Sequence, residues 1–365
     1  MSSALSFVNA RACGESHQSY LLSMRNRTWA ATAITFISSA ALAAGCTNAP
    51  PKGSANDVGG SRYKSLETIP STSAVDAQRA RATHAITKVF VIVMENHNWS
   101  SIKNNPSAPY INGTLLAQGA HAEGYTSPND VHPSEPNYVW LEAGDNLAIL
   151  DDDDPGANYR TTRAHLTSQL DTASIPWKSY QEGISGTACP LSSEGLYAPK
   201  HNPMVFFDDV TDGRNPQSSH CMEHIRPYAE MARDLQTNDP TATTGYAFIT
   251  PDMCNDMHNS GGCPSGDAVA NGDAWLSREV PKILASKAYR EGGALFIVWD
   301  ENEGSPGDAI GMIVMSPFAK RGYSNAIAYT HSSLLRTVQD VFALRPYLRD
   351  AETATGLDDM FSQFP

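Results

Sequence analysis

The chain has 365 residues, 41% of them hydrophobic and 18% charged, a composition that excludes a fibrous or wholly disordered protein and allows one large domain or two small ones. Its 26 Lys and Arg stand against 39 Asp and Glu, a formal charge of −13. Residues 1–45 hold Arg11, Arg25 and Arg27 against Glu15, so the rest carries 23 basic and 38 acidic side chains, a net −15. Such a body repels polyanions and argues against nucleic acid as a partner.

The first segment in chain order reads as an address. Met24-Arg25-Asn26-Arg27 precedes an uncharged stretch, Thr28 to Ala44, and then Gly45-Cys46. A basic start, a short apolar run and small residues form an export signal, with Met24 fitting its start better than Met1. The run is too short and Ala-rich for a membrane span. Leu42-Ala43-Ala44-Gly45-Cys46 resembles a bacterial lipobox, although Ala43 stands where Leu is usual. Residues 1–46 are therefore read as a signal region with Cys46 as the lipid anchor; plain cleavage near Ala44 is the alternative. The expected location is periplasmic or outer-membrane lipoprotein, otherwise secreted. Residues 47–84, rich in Pro, Ser, Gly, Ala and Asn, are expected to form a disordered tether.

Beyond it, apolar runs at 89–94, 246–249 and 294–299 are continuous rather than alternating, as in strands buried on both faces of a parallel sheet. A fourth run, 310–315, is expected to pair nearby. Helices are expected at 163–172, 225–235, 274–285 and 332–342. The alternation predicts one α/β domain over 85–365, a mostly parallel central sheet flanked by helices. Cys189, Cys221, Cys254 and Cys263 suggest two disulfides in an oxidising compartment. Cys189–Cys221 with Cys254–Cys263 closes the shorter loops, but three connectivities are open. The acidic run Asp151 to Asp154 lacks the spacing of a calcium loop and is read as a solvated loop.

The chemistry gathers where strands end. Residues 89–94 run into Glu95-Asn96-His97, 246–249 into a segment ending Asp256-Met257-His258, and 294–299 into Asp300-Glu301. Ligands of open parallel sheets bind beyond the carboxyl ends of the strands. The adjacent carboxylates of Asp300 and Glu301 repel each other unless a cation lies between them. Hard oxygens favour calcium, magnesium or manganese, and nearby histidines keep zinc and iron in the set. Ser134 stands just ahead of an expected helix, where it is either an N-cap or a nucleophile beside a dication; spacing does not choose between them. No G-x-S-x-G surrounds it, which argues against an esterase or lipase.

Seven segments then occur in order: Val93-Met94-Glu95-Asn96-His97, His132-Pro133-Ser134-Glu135-Pro136-Asn137-Tyr138, residues 175–182, Lys200-His201-Asn202-Pro203, Cys254-Asn255-Asp256-Met257-His258, Val298-Trp299-Asp300-Glu301 and residues 331–340. Together, over about residues 88–365, they resemble the phosphoesterase family of secreted acid phosphatases and bacterial phospholipases C, within the alkaline phosphatase superfamily. The resemblance implies an alkaline phosphatase-like fold and a divalent metal held by Glu95, Asn96, Ser134, Asp300 and Glu301. It makes Ser134 the nucleophile as well as a ligand, with His201, His258 and Asn96 contacting the phosphate or helping the leaving group. His331, Asp256 and His132 are weaker candidates, as are His97 and Asn137.

The expected activity is an exported, metal-dependent phosphomonoesterase with an acid optimum, acting on a small phosphate ester through a seryl-phosphate. A phospholipase C is the alternative within the family. The resembling phospholipases are longer and tend to use Thr, whereas this chain stops soon after its last motif and has Ser. A sulfatase would need an Arg that Ser134-Glu135-Pro136-Asn137-Tyr138 lacks. A non-catalytic surface lipoprotein with a structural cation site is the alternative of another class.

Overall fold

A computed structural model describes residues 74–236 and 245–365. The expected signal region, Cys46 and residues 47–73 of the expected tether lie outside them. The described residues form one sheet of eight strands: β1 Lys88–Met94, β2 Ala120–Ala122, β3 Trp177–Gln181, β4 Ile225–Pro227, β5 Tyr246–Thr250, β6 Gly293–Trp299, β7 Met312–Met315 and β8 Tyr323–Asn325. Their order is β4-β3-β5-β1-β6-β7-β2-β8, and only β7 runs against the others. The mostly parallel α/β architecture follows.

β1, β5 and β6 occupy the centre, and every residue in them is buried except Lys88, which is half-buried. Burying each Val, Ile or Phe there contributes roughly 1.5–3 kcal/mol, which is why these runs lack the alternation of a one-sided sheet. The β1–β6 register runs from Lys88 opposite Gly293 to Met94 opposite Trp299, so the two strands end side by side. The ladder continues one step further: Asp300 N donates to Met94 O (2.9 Å), and Glu95 N to Asp256 O (2.7 Å).

Three expected helices are present with shifted ends, as Leu166–Thr172, Ala268–Ala285 and His331–Val341. The helix expected at 225–235 is not. Ile225–Pro227 instead pairs with β3 as an edge strand, where the missing N–H of Pro227 costs no inner ladder bond, and only short helical turns follow. Residues 74–84 also differ from the expected tether, since Ala74–Arg81 is helical. Its Ala, Gln and Arg residues favour helix, and the Pro- and Gly-rich composition is confined to the segment before it. Arg81 Nη1 and His84 Nδ1 reach the carbonyls of Phe342 (3.3 Å) and Val341 (2.7 Å).

The helix Ser134–Ala143 is buried along its whole length. It ends at Gly144, at φ 72°, whose N–H returns to Trp140 O (2.8 Å). A side chain there would meet Leu348 O at 2.4 Å, so glycine is needed for space as well as conformation. Trp140 Nε1 donates to Ser332 Oγ (2.7 Å) and ties this helix to His331–Val341. Two disulfides, Cys189–Cys221 and Cys254–Cys263, select one of the three connectivities. Among the described residues no helix is long and apolar enough to cross a membrane.

Candidate active site

Four carboxylates converge at the C-terminal rim of β1, β5 and β6: Glu95, Asp256 and Asp300 have no exposed surface, and Glu301 has 4%. Glu95 follows β1 directly, and Asp300 and Glu301 follow β6. Asn96 completes the turn off β1 with φ 49°, a left-handed conformation that asparagine tolerates. Its N–H donates to Asp300 Oδ1 (2.9 Å), which also accepts from Glu301 N (2.7 Å), and its Nδ2 donates to Glu95 Oε2 (2.7 Å).

Ser134 faces this group from the first residue of its helix. Pro133 holds the cap position, so the serine does not cap. Its Oγ lies 3.1 Å from Glu95 Oε2 and 3.4 Å from Glu301 Oε1; one hydroxyl proton serves only one of them at a time. Glu301 Oε2 is approached by His132 Nδ1 at 2.6 Å and by Asn137 Nδ2 at 3.3 Å. Tyr138, one turn on, donates its hydroxyl to Glu95 Oε1 (2.7 Å) and stacks on His201 at 5.1 Å between ring centroids. His201 lies between Glu95 and Asp256, with Nε2 3.2 Å from Glu95 Oε1 and Nδ1 3.4 Å from Asp256 Oδ2; neither contact has hydrogen-bond geometry. His258, half-buried beside it with rings 5.8 Å apart, donates its backbone N–H to Asp256 Oδ1 (2.7 Å).

Burial raises Glu95 and Asp256 well above the usual carboxylate range, and the charge of Asp300 adds to both. Asp300 is pushed up to about 6 by burial, against the N–H bonds of Asn96 and Glu301; Glu301 reaches about 9 through burial and the adjacent Asp300 charge. His201 is lowered well below its ordinary value by burial, then by Lys200 and His258, so its imidazole is neutral. Without a cation the four carboxylates are destabilised as anions. Asp300 Oδ2, Asp256 Oδ2 and His201 Nε2 are buried without a hydrogen-bond partner among the described residues. Oxygens and a neutral imidazole nitrogen left open in this way fit a divalent ion. Glu95, His201 and Asp256 each place a ligand atom within 4.8 Å of the others.

Glu95, Asn96, Ser134, His201, Asp256, His258, Asp300, Glu301 and His132 are thus brought together. His331 is not turned toward them: Nε2 meets the Asp300 carbonyl (2.6 Å) and Nδ1 the Tyr125 hydroxyl (3.1 Å), so it braces the strand end. His97 turns back to the Glu95 carbonyl (2.9 Å). Four members had no expected role. Lys200 carries a charge that favours the ionised forms of Glu95, Asp256 and Glu301, and it pairs with Asp152 (2.8 Å), which also accepts from Glu135 N (3.0 Å). The acidic run is therefore not all solvated loop: Asp151, Asp153 and Asp154 are exposed, but Asp152 is drawn in by the lysine and the helix start. Asp152 is thus the second and Tyr138 the third; Asn302, next to Glu301 in sequence and buried with both amide atoms lacking a hydrogen-bond partner among the described residues, is the fourth. All but Asp152 and Asn302 lie within the seven segments, which was the available signal.

The chain matches the Phosphoesterase family over residues 110–345. A phosphatidylinositol-3-phosphatase of Mycobacterium tuberculosis is 29% identical over 266 residues, 73% of this chain and 80% of that protein. A phosphate-repressible acid phosphatase of Penicillium chrysogenum is 25% identical over 84% of this chain and 69% of its own length. A probable acid phosphatase of Kluyveromyces lactis is 26% identical over 70% of this chain and 58% of its own. In fold, a Vibrio parahaemolyticus protein of the alkaline phosphatase superfamily aligns with a TM-score of 0.50 at 10% identity, covering 79% of each chain. Matched over well more than half its length, the chain belongs to the Phosphoesterase family and is a hydrolase of phosphoric ester bonds.

Proposed function

We propose that this hydrolase is an exported, metal-dependent phosphomonoesterase of the acid phosphatase type that works through a seryl-phosphate on Ser134. The observation that carries the reading is the position of Ser134 Oγ, between Glu95 and Glu301 at the start of a buried helix. A divalent ion would be held by Glu95, Asn96, Ser134, Asp300 and Glu301, with Asp256 and His201 alongside. When bound, it would supply positive charge that lowers the pKa of a hydroxyl and offsets the negative charge of a phosphate. Carboxylates admit calcium, magnesium or manganese, and the imidazole adds zinc and iron.

The chain's own groups perform the transfer. Ser134 passes its hydroxyl proton to Glu95 or Glu301, the carboxylates its Oγ contacts, and Oγ forms a bond to phosphorus as the bond to the leaving oxygen breaks. The helix N-terminus behind it and the Lys200 ammonium face the phosphate charge. Asn96 and His201 hold equatorial oxygens, and His258 delivers the proton to the leaving oxygen. Burial and Lys200 lower the His258 pKa, and an arriving phosphate dianion counters both. Water then attacks the seryl-phosphate and gives a proton to His258, and the Ser134 oxygen departs, taking its proton back from the carboxylate that accepted it. Relatives named as phosphatases support a monoesterase over a phospholipase C. The signal-like residues 24–46, with Cys46 as the anchor, and the two disulfides support export to an oxidising compartment.

Ser134→Ala should lower turnover of p-nitrophenyl phosphate by about 10³-fold or more while preserving the circular dichroism spectrum and metal content. Wild-type turnover in that variant overturns the nucleophile assignment. Faster hydrolysis of p-nitrophenyl phosphorylcholine than of p-nitrophenyl phosphate overturns the monoesterase.

A further inference from the structure

A second group of metal-ligating side chains lies at the opposite rim of the sheet. Asp171 closes the helix Leu166–Thr172 that leads toward β3, and His220 and His224 lie on the short helix Ser219–His224 that leads into β4. The group therefore sits at the N-terminal ends of strands whose neighbours carry the phosphoesterase residues at their C-terminal ends. Asp171, His220 and His224 each place a ligand atom within 4.8 Å of the others. His220 and His224, four residues apart, share one helical face, with ring centroids 4.5 Å apart.

The orientation of the three side chains is what makes this more than a surface cluster. Trp177, the first residue of β3, aligns two of them at once. Its carbonyl faces His224 Nδ1 at 2.8 Å, and its indole Nε1 donates to Asp171 Oδ1 at 2.7 Å. An imidazole N–H given to a backbone carbonyl fixes the tautomer and leaves the other nitrogen as a lone-pair donor, the arrangement typical of metal-bound histidine. The indole bond likewise leaves Asp171 Oδ2 to face His220 Nε2, at 3.3 Å. Trp177 stacks on the His224 ring at 4.2 Å and 18°, which limits its rotation. The helix itself is held by the Cys189–Cys221 disulfide and by Ser218 Oγ, which accepts from Cys221 N (3.1 Å).

The geometry points to a second metal site, separate from the phosphoesterase centre, in which Asp171, His220 and His224 bind a zinc-class divalent ion with solvent completing the shell. Two imidazoles and one carboxylate suit zinc, copper or nickel better than calcium or magnesium. Partial exposure of His220 and Asp171, at 33% and 39%, leaves the ion an entry path.

Zinc binding to metal-stripped protein made without a polyhistidine tag tests the site, with bound zinc counted after equilibrium dialysis. His220→Ala and His224→Ala should each bind one zinc equivalent fewer per chain than wild type. Their phosphatase turnover, with the catalytic metal restored, should be unchanged. Equal zinc in wild type and both variants overturns the site, and loss of zinc together with turnover overturns its separateness. His220 is partly exposed, so if His224→Ala fails to fold, the His220→Ala count decides.

Discussion

Two buried clusters of carboxylates lie at the two ends of the helix Ser134–Ala143, and they resolve the same electrostatic problem in opposite ways. At the far end, Glu142 and Asp209 meet across His165, which is fully buried: Nδ1 lies 3.0 Å from Glu142 Oε1 and Nε2 3.0 Å from Asp209 Oδ1. Burial alone would lower the His165 pKa, but hydrogen bonds to Asp209 and Glu142 outweigh it and raise the pKa to about 9. That cluster carries its own cation, an imidazolium. At the Ser134 end four carboxylates gather around a neutral histidine, and Lys200 is already engaged with Asp152. Charge closed within the protein builds structure, whereas charge left open prepares a site for an ion. A buried polar cluster is thus informative chiefly through what it fails to balance.

The largest expected effect separates the two clusters directly. Dialysis against a chelator should abolish phosphatase activity, with return on adding a divalent ion, while the far-UV circular dichroism spectrum is kept. Loss of the fold in step with activity would instead assign the ion a structural role.

His165→Gln acts on the other cluster and should destabilise the protein by about 3 kcal/mol in urea unfolding, since it leaves the buried Glu142 and the partly buried Asp209 without their cation. The His165 pKa is raised in the folded state, so its contribution is fully present below about 6.5 and is lost as pH rises toward about 9. The stability gap between wild type and His165→Gln should narrow over that window. A gap that widens would show that the imidazole is held neutral.

The smallest effect has the opposite sign. Asp300→Asn should lower activity, yet stabilise the metal-free protein by on the order of 1 kcal/mol at pH 7 by removing one repelled charge. The folded pKa of Asp300, about 6, lies above its ordinary 3.8, so its destabilisation grows as pH rises between those values. The advantage of Asp300→Asn should disappear below about pH 4. No gain at pH 7 would mean the cluster is already balanced without metal.

The central strands were legible in the sequence because β1, β5 and β6 are apolar on both faces, and the groups that follow them were legible because the register ends at Met94 and Trp299. β3 was not, because Lys178, Ser179 and Gln181 make it read as polar. Two of its buried polar side chains find partners distant in sequence, with Ser179 Oγ meeting Asn202 Oδ1 (3.1 Å) and Gln181 Nε2 meeting Thr250 Oγ1 (3.0 Å). At the site, strand-end carboxylates could be read from local pattern, but Lys200 and Asp152 join through a contact between loops that no periodicity encodes. Spacing alone left Ser134 between helix cap and nucleophile and only the family resemblance favoured the second; the cap position falls to Pro133.

Glu95 and Asp300 each stand one residue beyond the last paired position of the β1–β6 ladder, with their N–H groups bonded to Asp256 O and Met94 O. No slack backbone separates sheet from site. Successive side chains of a strand point to opposite faces, so one residue inserted into either strand would turn its carboxylate away from Ser134. This rim is therefore closed to change of length, whereas connecting loops that carry none of the site's residues are where insertions are tolerated.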